Sequence, residues 1–132
     1  MDIGRIITKK LIEEKGEVKI KLLRGKKYFV VKLVKNGVEV SNLGKKTFLE
    51  WKVFKKTIEL LEIKGGIAEK GDAMNSKLGE EGLLIDSIEG YIAKEVYNKN
   101  MGDSVFRRIT PIVNILIWVG VCENSDGYLK LK

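Results

Sequence analysis

Lysines alternate with apolar residues over two neighbouring stretches of the sequence, EVKIKLLR at 17–24 and KKYFVVKLVK at 26–35. A period of two sends successive side chains of a β-strand to opposite faces, so one face becomes apolar and the other basic. Ammonium groups neutralise phosphates in any sequence, and an exposed tyrosine ring stacks on unpaired bases. The pattern therefore predicts a sheet face that binds single-stranded nucleic acid. Its members are Lys19, Lys21, Lys26, Tyr28 and Lys32.

Further basic residues extend this candidate surface. The turn RGKK follows the first predicted strand, a Lys-Lys pair lies beyond the third, and an Arg-Arg pair precedes the last predicted helix. We expect all of them to contact phosphates. These additional residues are Arg24, Lys27, Lys45, Lys46, Arg107 and Arg108.

The positive charge of the chain is concentrated in its first half. The 132 residues carry a net charge of +7, yet residues 1–64 hold 17 Lys and Arg against 8 Asp and Glu, and the remainder holds 8 against 10. A localised positive surface is typical of proteins that bind polyanions. The other interpretation is a lysine-rich, thermophile-like surface that only keeps the protein hydrated, which the Ile-, Lys- and Glu-rich, Gln-free composition also favours.

The residues that most enzyme and metal sites require are missing. The chain has no His, one Cys and neither a GxxxxGK[ST] nor a GxGxxG motif. These absences exclude nucleophile-histidine pairs, His-based metal sites and CxxC sites. We predict a non-catalytic protein with no catalytic residue, metal or cofactor, in which Glu80-Glu81 and Asp86-Glu89 are the only acidic pairs to consider as metal ligands.

Composition predicts a soluble globular protein, because 44% of the residues are apolar, 33% are charged and no apolar run has the length of a membrane span. A lone cysteine cannot form an internal disulfide, and residues 1–17 lack the apolar core of a signal peptide. We therefore expect a cytoplasmic protein in which Cys122 is a buried thiol.

Hydrophobic periodicity in the first half predicts a helix over residues 2–15, then a three-stranded antiparallel meander. The second and third strands are joined by a predicted type I′ turn at Asn36-Gly37. Thr47 and Glu50 match a capping box at the start of a helix that covers the sheet, with Trp51, Phe54, Ile58 and Leu61 on its apolar stripe.

A glycine-rich segment without periodicity, residues 65–82, predicts a linker or loop between subdomains 1–64 and 83–132. The second subdomain shows a helical pattern, a short helix at SVFRR, a buried helix begun by Thr110 and Pro111, and a hairpin at VCENSDGYLKLK. This order is typical of a winged-helix unit. The predicted fold class is α+β: an N-terminal helix, the meander with its covering helix, and a winged-helix-like unit ending in a β-hairpin.

The stretch VKIKLLRGKKYFVVKL, with a third strand and GKKTFLEWKVFKKTIELL, resembles the single-stranded-DNA-binding domain of the positive-cofactor-four transcriptional coactivators. The resemblance covers about residues 17–62 and implies that Arg24 and Lys26 contact DNA and that the protein is a homodimer. Leu23 stands where that family has an aromatic residue. The matching residues are Val18, Ile20, Arg24, Gly25, Lys26 and Trp51.

These observations predict a protein that binds single-stranded DNA with low sequence specificity, with RNA as an open possibility. One alternative is a winged-helix transcriptional regulator of duplex DNA, although TPIVNILIWVG offers only Asn114 for reading bases. A second alternative is a structural or assembly adaptor, in which the second half serves packing or dimerisation.

Overall fold

The computed structural model describes the whole chain, Met1–Lys132, and confirms the predicted α+β class. The helices are α1 (Ile3–Glu13), α2 (Trp51–Ile63), α3 (Ile88–Glu95) and α4 (Ile109–Trp118), with a 3-10 turn at Glu81–Leu83. The first sheet contains β1 (Glu17–Lys21), β2 (Tyr28–Val34), β3 (Gly37–Val40) and β4 (Phe48–Glu50). The second sheet contains β5 (Ile67–Glu69), β6 (Cys122–Ser125) and β7 (Tyr128–Leu131). None of the helices is both long enough and apolar enough to cross a membrane.

The first sheet is an antiparallel meander in the order β1-β2-β3-β4, one strand more than predicted. Its apolar face packs against α1 and α2 and joins the main core. Along β2, the buried Phe29 and Val31 alternate with the exposed Tyr28 and Lys32, as the sequence period requires. The opposite face, which carries the lysines, is not covered by either helix.

The extra strand explains why the predicted capping box at Thr47 and Glu50 is wrong. Residues Phe48–Glu50 pair with β3, with Glu50 opposite Gly37, so their backbone is extended and cannot form the first turn of a helix. The helix α2 instead begins at Trp51, and the Glu50 side chain makes no capping hydrogen bond. The predicted apolar stripe is confirmed, because Phe54, Ile58 and Leu61 are buried and Trp51 packs half-buried against the core.

The turn between β2 and β3 is shifted by one residue from the prediction. Val34 pairs with Gly37, so the two central residues are Lys35 and Asn36, and only Asn36 has a positive φ, of 65°. Gly37 is required for a different reason. A Cβ at this position would lie 2.2 Å from the carbonyl oxygen of Leu49, because β4 passes so close.

We expect Gly37→Ala to lower the free energy of unfolding by about 3 kcal/mol, since the Leu49 carbonyl cannot move without breaking the pairing of β3 with β4. Urea unfolding checks this, with Gly120→Ala as the control. Gly120 has a φ of 79° and open space around it, so alanine there meets only the conformational cost, about 1 kcal/mol. Equal losses in the two variants would contradict the close approach of β4.

The structure does not separate the two predicted subdomains. One core cluster of 24 buried residues includes Ile7 and Phe29 from the first half and Ile112 and Leu116 from the second. The predicted linker also contains β5, which pairs with β7 near the C-terminus. A three-residue strand flanked by glycines is too short to show a period of two, so the sequence pattern does not reveal it.

The elements that follow the meander run in the order α2, β5, α3, α4, β6, β7, and the second sheet has the order β5-β7-β6. The short helix predicted at SVFRR is absent, because these residues are irregular. Helix α4 begins at Ile109, and Arg108 rather than Thr110 occupies the N-cap position. The cause is Glu89 of α3, whose carboxylate accepts hydrogen bonds from the backbone N–H of Arg108 at 2.7 Å and Ile109 at 3.2 Å.

Candidate nucleic-acid interface

The hairpin formed by β1 and β2 collects most of the predicted site residues. Lys21 lies directly opposite Tyr28, and Lys19 lies opposite Val30. Such cross-strand neighbours have Cβ atoms about 5 Å apart, so an ammonium group and an aromatic ring stand side by side. Tyr28 is 61% exposed, on the face that α1 and α2 leave open. We call this surface the basic hairpin: Lys19, Lys21, Arg24, Lys26, Lys27 and Tyr28.

Lys26 lies beyond the end of β2 and not, as predicted, within the row of strand lysines. β2 begins at Tyr28, and the loop before it is closed by a hydrogen bond from the Leu22 N–H to the Lys27 carbonyl, 2.9 Å long. Lys26 is therefore in the loop with Arg24, and both side chains are exposed. The strand lysines lead directly into the loop cations, so these basic residues form one continuous surface on the hairpin.

The cations of the basic hairpin are largely free of acidic partners. Four ion pairs are present in the structure, and Arg24 is the only hairpin residue in any of them. Its guanidinium lies 3.7 Å from a carboxylate oxygen of Asp126, and both side chains are almost fully exposed. An exposed pair of this kind contributes at most about 1 kcal/mol, so a phosphate can displace it.

Lys32, farther along β2, has a different environment. It lies opposite Glu17 of β1 on one side and opposite Glu39 of β3 on the other. The two carboxylates offset its charge, so the positive potential of the face increases toward the loop between β1 and β2.

Lys45 and Lys46 lie in the loop between β3 and β4, at the same end of the sheet as the loop of the basic hairpin, because alternate connections of a meander share one end. The Lys46 ammonium is 5.2 Å from the centre of the Phe106 ring. This contact places the segment before α4 beside that end of the sheet. Arg107, the next residue, is exposed and lines a cleft together with Arg24.

Arg108 is not placed at this surface. It is buried, with its guanidinium carbon 3.7 Å from the centre of the Tyr97 ring and 4.8 Å from that of Phe106. One guanidinium nitrogen donates to the Phe106 carbonyl at 3.3 Å. Stacking between two rings makes Arg108 a part of the core, so it cannot meet a phosphate in this structure.

The cleft has a volume of about 780 Å³ and lies between the loop of the basic hairpin and the turn between β6 and β7. The ion pair between Arg24 and Asp126 joins these two tips. One face of α4 lines the cleft through Ile109, Thr110, Val113 and Asn114. The cleft thus adjoins the basic end of the first sheet.

Two residues with distinct environments were missed by the sequence patterns. Phe48, 45% exposed, lies opposite Glu39 on the basic face and adds a second aromatic ring there. The alternation in FLE is its only signal, and the apparent capping box hides it. In the sequence, Glu89 stands out only as an acidic neighbour of Asp86, but Asp86 pairs with Lys64 at 2.8 Å, whereas Glu89 is buried in the core.

Burial controls the protonation of two core groups. It raises the pKa of Glu89 to about 7, although hydrogen bonds from the backbone N–H of Arg108 and Ile109 favour the charged form. Burial also raises the pKa of the Cys122 thiol to about 12. Cys122 is therefore a buried and unreactive thiol, as the sequence predicts.

Comparison of the chain with protein-family models, curated proteins and solved structures finds no match. The resemblance to the positive-cofactor-four domain accordingly depends on the sequence pattern of residues 17–62 alone.

Proposed function

We propose that this protein binds single-stranded nucleic acid, with DNA favoured, on the basic hairpin and the adjoining end of the first sheet. The observation that carries this proposal is the pair formed by Lys21 and the exposed Tyr28 on an uncovered sheet face. Lys19 precedes this pair along β1, and the loop lysines Lys26 and Lys27 follow it, all without acidic partners.

Each element of the surface has a defined physical role. The ammonium groups neutralise phosphates and release the counterions condensed on the strand, which favours binding entropically at low salt. The Tyr28 ring stacks on a base, and stacking accepts any base because all four have a π-face. Bases in a duplex are already stacked and paired, so this surface favours an unpaired strand and has low sequence specificity.

Duplex binding is a second candidate, favoured by the order of α2, β5, α3, α4, β6 and β7 and by the sheet order β5-β7-β6, which are typical of winged-helix proteins. A helix in the position of α4 would then enter the major groove. Here that helix is buried on most of its surface, and of its residues that line the cleft only Thr110 is more than slightly exposed. The helix presents no basic side chain and only the nearly buried Asn114 for reading base edges, so we favour single strands.

Competition binding at several salt concentrations tests the proposal. A labelled single strand should be displaced at least about tenfold more effectively by an unlabelled single strand than by a duplex of the same sequence. With four or five phosphates neutralised, log K should fall with log salt with a slope of about −3. Equal displacement by the duplex would favour the winged-helix candidate, and tight binding that ignores salt would contradict both.

Tyr28→Ala is expected to weaken binding of a single strand about tenfold or more, because stacking on one aromatic side chain contributes about 1–3 kcal/mol per base. Tyr28→Phe keeps the ring and should bind nearly as well as the unchanged protein. Fluorescence anisotropy gives both affinities, with Ile63→Ala as a control that removes an exposed apolar side chain from the end of α2. Equal affinities for the alanine and phenylalanine variants would rule out stacking by Tyr28.

A further inference from the structure

One polar side chain interrupts the otherwise apolar centre of α4. Asn114 is only 4% exposed, and its Nδ2 donates to the carbonyl of Thr110 at 2.8 Å. Its Oδ1 accepts no hydrogen bond within the protein, and the single enclosed side-chain polar atom without a partner is Nε of Arg108. Oδ1 therefore keeps a small accessible surface, and the cleft is the cavity that Asn114 lines. A dehydrated amide oxygen without a hydrogen bond costs about 1–3 kcal/mol of stability. An apolar residue at this position would therefore pack better.

The surroundings of Asn114 suit a flat, weakly polar group. Val113 and Ile109 provide apolar contacts on the same face of α4, and the Thr110 hydroxyl lies one turn before Asn114. Tyr128, at the start of β7, adds a half-exposed aromatic ring to the wall. Pockets of about 300–1,000 Å³ are typical of small-molecule sites, and this cleft falls within that range.

The charges around the cleft limit what it can hold. Its basic side chains are Arg24, Lys70 and Arg107, and its acidic side chains are Glu69, Asp72, Glu81 and Asp126. The Asp72 carboxylate already accepts hydrogen bonds from the backbone of Met74 and Asn75 and from the Asn75 amide. With acidic and basic groups nearly balanced, a polyanion such as a triphosphate is disfavoured, whereas an uncharged base next to one phosphodiester is accommodated.

We propose that the cleft receives one nucleobase of the bound strand, preferably adenine, and that Asn114 recognises its edge. Adenine presents a donor at N6 beside an acceptor at N7, which match the free Oδ1 and the second amide hydrogen of an asparagine. Arg24 and Arg107 lie at positions to contact the adjoining phosphates. This inference rests on the proposed function, because the strand reaches the cleft from the basic hairpin, whose loop forms one wall.

The experiment compares two single strands, an all-thymine oligonucleotide and one with a single central adenine. The unchanged protein should bind the adenine-containing strand about tenfold more tightly. Asn114→Leu has a similar volume and should abolish this preference while the affinity for the thymine strand and its salt dependence remain. The matched control is Asn100→Leu, at an exposed asparagine between α3 and α4, which should keep the preference.

A second measurement avoids substitution in the buried helix. The side-chain amide resonances of Asn114 in the unchanged protein should shift on addition of the adenine-containing strand and remain in place with the thymine strand. Equal affinities of the unchanged protein for the two strands, or a preference that survives in Asn114→Leu, would overturn the base site. Failure to bind either strand would refute the proposed function instead. In that case adenosine monophosphate is added to the unchanged protein. A shift of the Asn114 amide resonances would support a site for free nucleotides, whereas unchanged resonances would overturn the assignment of the cleft as well.

Discussion

Replacing Lys19, Lys21 and Lys26 together by glutamine is expected to lower the affinity for a single-stranded oligonucleotide about 100-fold at about 0.1 M salt. The reason is counterion release, which contributes about 0.7 log units per neutralised phosphate for each tenfold dilution of salt. With binding at 1 M salt as the reference, three lost contacts therefore lower log K by about two at about 0.1 M salt. The slope of log K against log salt should become shallower by about 2, which fluorescence anisotropy measures directly.

A matched variant separates a local effect from net charge. Lys9 on α1 and Lys52 and Lys55 on α2 are exposed, and they belong to the helices that cover the other face of the sheet. Replacing these three by glutamine changes the net charge by the same amount and should change affinity less than about threefold. Equal losses in both variants would mean that only overall charge matters. No loss in either would favour the adaptor interpretation, in which the lysines serve hydration.

Glu89→Ala is expected to lower the free energy of unfolding by about 3–5 kcal/mol. The substitution removes the acceptor for the first N–H groups of α4 and leaves the buried Arg108 without its neighbouring carboxylate. Glu95→Ala, at an exposed position near the end of the same helix, should cost less than about 0.5 kcal/mol. Urea unfolding of the two variants at the same pH makes the comparison.

The same carboxyl group should make stability depend on pH. Its pKa is about 7 in the folded protein and about 4.5 when unfolded, so the folded state holds the proton more tightly. The stabilisation from this difference in pKa is complete below about pH 4.5 and is lost as pH rises through about 7. The loss lowers the free energy of unfolding by about 3 kcal/mol. Glu89→Gln keeps an oxygen acceptor without a titrating group, and unfolding at several pH values should show that this decline disappears. A decline that persists in the glutamine variant would contradict the assignment to Glu89.

The parts of the fold that sequence reasoning predicted are those with a long enough pattern. The hairpin of β1 and β2 spans several periods of two, and the buried stripe of α2 spans three turns, so both are recognised without tertiary information. Thr47 and Glu50 show the limit of local signals, because pairing of β4 with β3 overrides a valid capping motif. Strand β5 exists only because β7, far along the chain, provides its partner.

The residues of the candidate site also divide into those that a periodic pattern predicts and those that it does not. The grouping of Lys19, Lys21 and Tyr28 follows from strand geometry alone, since alternate residues must share a face. Arg107 and Arg108 are adjacent in an irregular segment, yet one lines the cleft and the other is buried between aromatic rings. No periodic pattern distinguishes such neighbours, because their orientations are set by contacts with distant elements.

Mapping of backbone amide shifts during titration with a single-stranded oligonucleotide tests most directly whether the basic hairpin is the binding surface. At about 50 mM salt, the largest changes should fall between Lys19 and Tyr28, with smaller ones in the loop that holds Lys45 and Lys46. Changes confined to the exposed faces of α1 and α2, or none at this salt concentration, would contradict the proposed binding surface.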